Sequence, residues 1–253
     1  MRIAKLLIAA AVLATPLSAS AAPKPLADIA ATAAASGRDA ENVKLDEGRK
    51  PAALLRFLGL RKGMTVLDMF GGNRYWSELI APAVGSSGKV LIWEPAQFNK
   101  GETKTKLEAF DAAHRNVSVA VSPFESPVLP KNFADFVLIN LDYHDVYWQN
   151  DKYGIVRMEP ANFLKAIYAS VKRGGIVGVV DHTAKAGGDT RDVVEKLHRI
   201  DPAVVKRDFQ RAGFTLVGSS NMYRNPADDH SLLVFDPKIR GKTDRFVLKF
   251  VKR

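Results

Sequence analysis

Two apolar runs of the chain, residues 135–141 and 176–180, each end in polar residues that can move a proton. A histidine beside a carboxylate can act as a general base near neutral pH, taking a proton from a hydroxyl or an amine. We therefore predict a catalytic site with His144 as the base and Asp145 or Asp181 orienting it. The same residues could instead cap helices and satisfy one another's hydrogen bonds. The predicted substrate contacts are Tyr143, Tyr147 and His182.

Imidazole and carboxylate groups are also numerous enough in this chain to hold a divalent cation. The candidate ligands are His144, Asp145, Asp181, His182, Asp228, Asp229 and His230. Because they do not stand at the tight spacing that metal sites usually show, we assign no metal. Two more histidines, His114 and His198, fall in predicted helices with charged neighbours, and we assign them no role.

Residues 65–95 carry a second chemical pattern: a strand, a glycine turn, a helix and another strand that ends in an acid. The first strand ends at Asp68, and Gly71 and Gly72 form the turn. The second strand stops at Glu94. In nucleotide-binding folds the glycine turn lets the backbone approach the ligand, and the acid accepts hydrogen bonds from ribose hydroxyls. We therefore predict a nucleotide-type ligand, with Glu94 on its ribose.

Helices and strands alternate along the rest of the chain. The predicted strands are residues 65–67, 90–93, 117–121, 135–141, 176–180, 214–217 and 246–251. The predicted helices are residues 39–49, 51–58, 76–84, 104–113 and 202–212, and one more that begins at Pro160 and ends at Gly174 and Gly175. Continuous apolar strands separated by helices are typical of a mainly parallel sheet covered on both faces. We expect a single domain over residues 38–253.

The first 21 residues have the pattern of a cleaved export signal: Arg2 and Lys5 precede an apolar run, and small residues follow at 19–21. The run is too short to span a membrane comfortably, and an uncleaved amphipathic anchor is the alternative. Residues 22–37, rich in alanine, are predicted to be a flexible arm with helix from Leu26 onward. We expect an exported, periplasmic protein with no transmembrane segment after cleavage.

Charge and cysteine content narrow the possible functions. The signal carries two of the positive charges that make up the net +10, which leaves +8 on the mature chain. No recognised nucleic-acid-binding signature accompanies this charge, so we expect no specific nucleic-acid partner. The chain has no cysteine, which excludes thiolate catalysis and cysteine-ligated zinc.

The order of the motifs VLD, glycine turn, WEP and KRGG resembles the class I S-adenosylmethionine-dependent methyltransferases over about residues 45–253. The chain is most similar to an exported branch of that superfamily, through YHDVYW, LHRIDP, RNPADDH and FDPKIRGKTDRFVLKF. The resemblance implies a Rossmann-like α/β fold: a mainly parallel seven-stranded sheet with helices on both faces and an antiparallel last strand. It also implies S-adenosylmethionine as the cofactor.

In that superfamily the turn has glycines at the second, fourth and sixth positions after the acid, which are Phe70, Gly72 and Arg74 here. Arg74 is the main departure, because a non-glycine residue reaches positive φ less easily and its side chain takes space from the ligand. Arg74 either pairs with the carboxylate of the cofactor or points outward from the first helical turn. The other cofactor contacts implied by the resemblance are Asp68, Gly71, Gly72, Glu94 and Asp142, with Phe124 or Glu125 near adenine.

The resemblance therefore implies a methyltransferase of the bacterial envelope that acts on a small-molecule acceptor. The alternative is a non-catalytic module that binds a small ligand or serves a structural role on the same fold, since fold does not determine function and the cofactor is made in the cytoplasm. A nicotinamide-dependent oxidoreductase is disfavoured, because GGNRYW lacks the GxGxxG pattern that such an enzyme needs.

Overall fold

A computed structural model describes residues 24–253; the predicted export signal, residues 1–21, lies outside them. The seven strands of this part of the chain are β1 (Thr65–Met69), β2 (Lys89–Pro95), β3 (Val117–Ser122), β4 (Ala134–Asn140), β5 (Val171–His182), β6 (Phe214–Ser220) and β7 (Arg245–Lys252). Within residues 24–253 we find no helix with the length and apolar character needed to cross a bilayer.

The helices of the described residues begin and end as follows: α1 (Ile29–Ala33), α2 (Ala40–Val43), α3 (Asp46–Arg49), α4 (Pro51–Leu58), α5 (Tyr75–Val84), α6 (Gly101–Ala113), α7 (Pro160–Ser170), α8 (Thr190–Leu197) and α9 (Pro202–Arg211). Two short 3₁₀ helices, His144–Tyr147 and Asp151–Tyr153, follow β4.

The strands form one sheet in the order β3-β2-β1-β4-β5-β7-β6. β1 to β5 pair in parallel, and β7 runs antiparallel to both β5 and β6. The predicted fold class is confirmed. From the centre of the sheet the chain proceeds in opposite directions, to β2 and β3 on one side and to β4 and β5 on the other. Ligands of open α/β sheets bind at such a reversal, beyond the carboxyl ends of the strands.

Helices cover both faces of the sheet, as the apolar pattern predicts. On one face α4, α5 and α6 bury Leu54, Leu79 and Leu107, and on the other α7 and α9 bury Phe163 and Phe209. The close packing of α4 on β5 depends on one glycine. A Cβ on Gly178 would lie 2.4 Å from Leu58 Cδ1, so a larger residue would push the helix from the sheet.

The alanine-rich arm packs on the domain from residue 24. Its helix begins at Ile29, later than the predicted Leu26, because the side chain of Asp28 accepts a hydrogen bond from the Ala31 N–H and caps it. Ile29 is buried against α4 and α5, and Leu26 forms an isolated bridge with Arg61. Burial of this apolar side chain is the reason that the arm is ordered here.

Other predicted helix bounds are also wrong. Residues 39–49 form two short helices, α2 and α3, instead of one. α7 ends at Ser170, four residues before Gly174, because β5 already begins at Val171 and reaches regular pairing with β4 after a register shift. His198 lies one residue beyond α8 in the left-handed conformation, φ 49°, instead of within a helix.

Candidate functional site

The turn between β1 and α5 keeps a left-handed backbone without the glycines that usually provide it. Phe70 has φ 58° and Arg74 has φ 59°. Left-handed backbone costs a residue with a side chain roughly 1–2 kcal/mol, and surrounding packing must offset this cost. The packing is visible: the Phe70 ring contacts Trp93 and Phe124 edge-on, at centroid distances of 5.1 and 5.5 Å. The substitution of these glycines therefore does not destroy the turn.

Gly71 and Gly72 are needed for space instead. A Cβ on Gly72 would lie 2.5 Å from Glu94 Oε1, and a Cβ on Gly71 would lie 2.6 Å from Ile92 Cγ2. Real Cβ atoms do not approach other atoms so closely, so any side chain would displace Glu94 or the turn. The two glycines bring the backbone directly against the acid at the end of β2, as the sequence pattern predicts.

The carboxylates at this edge lie in a setting that disfavours their charge. Burial raises the pKa of Glu94 to about 7, although the backbone N–H of Gly72 opposes this. Burial likewise raises the pKa of Asp68 to about 6, while the hydroxyl of Ser77, which donates to Asp68 Oδ2 at 2.6 Å, opposes it. Glu94 Oε2 is buried and has no hydrogen-bond partner among the described residues. An unpaired acceptor of this kind is satisfied when a ligand donates to it.

A cavity of about 210 Å³ opens beside Glu94 at the carboxyl ends of β1, β2 and β4. Its lining residues are Arg49, Met69, Phe70, Gly71, Gly72, Asn73, Trp76, Glu94, Thr103, Asn140, Leu141 and Asp142. We call it the turn cavity. Four of the predicted cofactor residues meet here, namely Gly71, Gly72, Glu94 and Asp142. Asp68 lies behind the turn, where it accepts the hydrogen bond of Ser77.

Besides Asp68, two more predicted cofactor residues do not line the turn cavity. The Arg74 guanidinium pairs with Asp39, with Nη2 2.9 Å from Oδ2, and lines a different cavity near α1. The Arg74 side chain is 14% exposed, so it neither lines the turn cavity nor points outward into solvent, the two orientations that the sequence left open. Phe124 is 1% exposed, and its ring is part of the core. Glu125, the other adenine candidate, accepts a hydrogen bond from Gln97 Nε2 at 2.9 Å.

Arg49 is a cavity residue that the sequence reasoning missed. Its guanidinium lies over the Tyr75 ring, 4.3 Å from the centroid, and its Nη1 is buried with no hydrogen-bond partner among the described residues. Burial lowers its pKa, while nearby acids, Asp142 among them, oppose this. Nothing in the sequence around Arg49 distinguishes it from the other basic residues of the chain. Only the packing of α3 against the turn brings it to the ligand edge.

The predicted catalytic residues do come together, at the ends of β4 and β5. His144 Nδ1 lies 2.8 Å from Asp181 Oδ1, and the His144 backbone N–H donates to Asp181 Oδ2 at 2.8 Å. His144 Nε2 lies 3.2 Å from Asp145 Oδ1. A further residue, His198, joins them with its Nδ1 3.3 Å from His144 Nε2. The sequence analysis assigned His198 no role, and 53 positions separate it from Asp145 in the chain.

Electrostatics make His144 a proton holder at neutral pH. Its complete burial lowers the pKa, but the carboxylates of Asp181 and Asp145 outweigh burial and raise the pKa to about 9. The ring is 3% exposed, and both of its nitrogens face protein groups. The role of His144 as general base therefore stays a prediction that requires one of these contacts to open.

A second, larger cavity of about 700 Å³ adjoins the turn cavity and shares Arg49 and Leu141 with it. We call it the basic cavity. Its charged lining residues are Lys44, Glu47, Arg49, Lys50, Arg240, Lys242 and Arg245, six cations and one acid. The predicted substrate residue His182 also lines it, and its Nδ1 lies 2.7 Å from Thr243 Oγ1. Burial and the neighbouring cations hold the pKa of His182 well below its usual range.

The two predicted substrate tyrosines lie elsewhere. The hydroxyls of Tyr143 and Tyr147 both donate to Asp208 Oδ2, on α9. Tyr143 is fully buried in the core, and Tyr147 lines a third cavity of about 540 Å³ with Asp208. The structure therefore does not bring these tyrosines together with His182.

Comparison with known proteins identifies solved structures that share this fold. No family model matches the chain, and no curated protein matches it. A solved S-adenosylmethionine-dependent methyltransferase from Aquifex aeolicus is 19% identical and covers 86% of this chain and 100% of its own, with a TM-score of 0.55. Phosphoethanolamine N-methyltransferase 2 of Haemonchus contortus, solved with S-adenosyl-L-methionine, is 15% identical over 81% of this chain and 52% of its own, with a TM-score of 0.55.

These identities establish the fold alone: the chain has the Rossmann-like fold of the class I S-adenosylmethionine-dependent methyltransferases. The same fold also serves other chemistry. The cyclase SpnF is 15% identical over 87% of this chain and 83% of its own, with a TM-score of 0.55. The reaction must therefore be argued from the residues of the site.

Proposed function

We propose that this protein binds S-adenosylmethionine in the turn cavity and transfers its methyl group to a small acceptor. The observation that carries the proposal is the contact of Gly72 with Glu94. Glu94 has a carboxylate oxygen without a hydrogen-bond partner among the described residues, and it lines the turn cavity at the strand reversal where this fold class binds ligands.

The residues of the turn cavity fit the chemical groups of that cofactor. Glu94 Oε2 can accept a hydrogen bond from a ribose hydroxyl. Burial, together with the charge of Asp145, raises the pKa of Asp142 well above its ordinary value, and a bound sulfonium or ammonium group would favour its charged form. Arg49, with a free Nη1, can donate to the carboxylate of the amino-acid portion. When bound, S-adenosylmethionine supplies an electrophilic methyl group on sulfur. In this arrangement Arg49 binds the carboxylate of the cofactor, which is one of the two roles predicted for Arg74.

The acceptor is placed in the basic cavity, because that cavity shares residues with the turn cavity. Its excess of cations over acids favours an acceptor that carries a carboxylate or phosphate group. His144, Asp145 and Asp181 are kept as the proposed proton-transfer group, and they lie beside His182 at the same strand ends, with the His144 and His182 rings 5.9 Å apart.

Calorimetry with S-adenosylmethionine and its demethylated product tests the cofactor proposal. We expect S-adenosylmethionine to bind the untagged mature chain. Glu94→Gln should weaken this binding about tenfold or more, because the protein then no longer offers a charged hydrogen-bond acceptor to the ligand. Glu108→Gln is the matched control, since that glutamate is exposed on α6 and pairs only with Lys104. Absence of binding at millimolar ligand overturns the proposal, and equal loss in both variants rejects the role of Glu94.

Export to the periplasm, inferred from the pattern of residues 1–21, remains part of the proposal. Cell fractionation with a protease-accessibility assay tests it. Retention in the cytoplasm would reject export and leave the cofactor proposal intact, since the cofactor is available there.

The non-catalytic alternative also has an observation in its favour. His144 lines neither cavity, and both of its ring nitrogens face protein groups, so a ligand could bind without reacting. Incubation with S-adenosylmethionine and a panel of carboxylate and phosphate acceptors, followed by mass spectrometry, separates the two functions. Methylated product supports the transferase; tight binding without product supports the binding module.

A further inference from the structure

The three side chains His144, Asp145 and His198 point one atom each toward a common centre. His144 Nε2, Asp145 Oδ1 and His198 Nδ1 lie 3.2, 3.3 and 3.3 Å apart in pairs. They form a nearly equilateral triangle of two imidazole nitrogens and one carboxylate oxygen. The residues come from the 3₁₀ helix after β4 and from the end of α8, so tertiary packing assembles the group.

Hydrogen bonding accounts for one side of this triangle, the contact of His198 Nδ1 with His144 Nε2, but not for the two contacts of Asp145. Asp145 Oδ1 is buried and has no hydrogen-bond partner among the described residues, although two ring nitrogens lie within 3.3 Å of it. The two contacts of Asp145 Oδ1 therefore have the distances of hydrogen bonds without their directions. A buried carboxylate oxygen left unpaired is costly, and a cation at the centre of the triangle would satisfy it.

The spacing matches the ligand shell of a small transition-metal ion. Ligands at about 2.0–2.1 Å from a tetrahedral zinc ion are roughly 3.3 Å from one another. Two imidazoles with one carboxylate suit zinc and similar divalent metals, whereas magnesium and calcium prefer shells of oxygen alone. Three protein ligands leave one coordination position open for water or another ligand.

The surroundings hold the three ligands in place. Asp181 is a carboxylate and can only accept, so His144 Nδ1–H donates to it and Nε2 is the nitrogen left for a metal. The His198 ring is flanked by Trp148 and Phe235, at centroid distances of 5.1 and 5.2 Å. A carboxylate behind one histidine and aromatic rings around the other are what a metal site needs for fixed ligand geometry.

We propose that His144, Asp145 and His198 bind one divalent transition-metal ion of the zinc class, with Asp181 as the positioning residue behind His144. Phe235 packs on His198 and also lines the basic cavity, so the three ligand residues neighbour the proposed acceptor site. The proposal does not depend on cofactor binding, and a non-catalytic protein would bind the metal equally. It replaces the proton-transfer role proposed for His144, because a metal on Nε2 and Asp181 on Nδ1 occupy both ring nitrogens.

Titration of the chelator-treated, untagged mature chain with Zn²⁺ by calorimetry, and with Co²⁺ by visible absorption, tests this site. We expect one ion per chain, a Co²⁺ spectrum of tetrahedral intensity, and a higher Tm with Zn²⁺ than with Mg²⁺. His198→Ala and Asp145→Asn should each weaken binding at least tenfold. His114→Ala is the matched control, because His114 lies at the end of α6, away from the three ligand residues, with its ring nitrogen on the backbone carbonyl of Phe110.

Circular dichroism of each metal-free variant shows whether it is folded, so that loss of binding is distinguishable from loss of structure. Asp181→Asn gives a second, independent variant: it leaves all three ligands in place and should weaken Zn²⁺ binding about tenfold to a hundredfold through His144. No Zn²⁺ binding by the folded chain, an octahedral Co²⁺ spectrum, or binding that His198→Ala and His114→Ala reduce equally would each overturn the proposal. Retention of cofactor binding in these variants would show that the two proposals stand or fall separately.

Discussion

The turn cavity and the group formed by His144, Asp145, Asp181 and His198, which we call the histidine cluster, lie at neighbouring strand ends of one sheet. Their polar groups differ in what surrounds them. Glu94 in the turn cavity has a free oxygen and a raised pKa because burial deprives its charge of partners. His144 in the cluster also has a raised pKa, but there the cause is carboxylates that surround the ring. In the turn cavity a hydrogen-bond acceptor is available to a bound molecule. In the histidine cluster the atoms that could bind a metal point toward one another.

The comparison shows that a shifted pKa does not by itself identify the role of a residue. Perturbed groups concentrate at functional sites, but structural networks perturb them as well. The shift must be interpreted together with the contacts: a free oxygen facing a cavity indicates ligand binding, whereas converging donor atoms indicate a bound cation or a closed network.

The largest expected effect that tests the comparison is at Gly72. In Gly72→Ala the new Cβ would lie within 2.5 Å of Glu94 Oε1, so the turn and the acid must separate. We expect at least a hundredfold loss of S-adenosylmethionine affinity by calorimetry. Gly218→Ala is the control, since its nearest neighbour, Phe57 Cζ, lies at 3.4 Å. Unchanged affinity in Gly72→Ala would show that the turn is not the binding surface.

The next effect is the pH dependence of stability caused by Glu94. The pKa of Glu94 is about 7 in the folded chain, against an ordinary value of 4.5. The contribution of Glu94 to stability is therefore fully present below pH 4.5 and is lost as the pH rises through 7, because the folded chain must then bury a charged carboxylate. Glu94→Gln cannot ionise and should be more stable than the unliganded wild type at pH 8, by about 1–3 kcal/mol. Urea unfolding of both proteins at pH 4.5 and pH 8 measures this. A difference that does not change with pH would contradict a raised pKa.

A smaller effect distinguishes the two arginines near the turn. Arg49→Gln removes the cation that faces the turn cavity and should weaken S-adenosylmethionine binding about tenfold, the loss of one charge-assisted hydrogen bond. The measurement is calorimetry at one pH and one salt concentration. If the cofactor analogue that lacks the amino-acid carboxylate is weakened equally, Arg49 does not bind that carboxylate.

The smallest expected effect is at Arg74. Arg74→Gly removes an ion pair with Asp39, and a partly exposed ion pair contributes little to stability. The substitution also removes the backbone strain of a non-glycine residue in the left-handed conformation. The two changes offset each other, so the free energy of unfolding should stay within about 1 kcal/mol of wild type. Cofactor affinity should stay within twofold. A tenfold loss of affinity would return Arg74 to the cofactor site.

Much of the fold and part of the candidate site were predictable from local pattern. Asp201 caps α9 and Pro202 opens it, as the sequence predicts, because capping needs only a side-chain oxygen and the adjacent N–H groups. Glu94 faces Gly72 because both follow the ends of adjacent parallel strands. By contrast Arg74 and Phe124 stand at the expected positions in the chain, and packing against Asp39 and the aromatic core decides where their side chains point.

The sequence by itself determined the alternation of strands and helices, the close glycine turn and the acid beside it. The reason is that apolar periodicity, caps and glycine space act over a few residues. Only the tertiary structure decided which basic side chain faces the turn cavity and which histidine joins His144. Arg49 and His198 reach their places because α3 and α8 pack on the rest of the domain. Contacts between segments that are distant in the chain have no fixed sequence separation, so no local pattern predicts them.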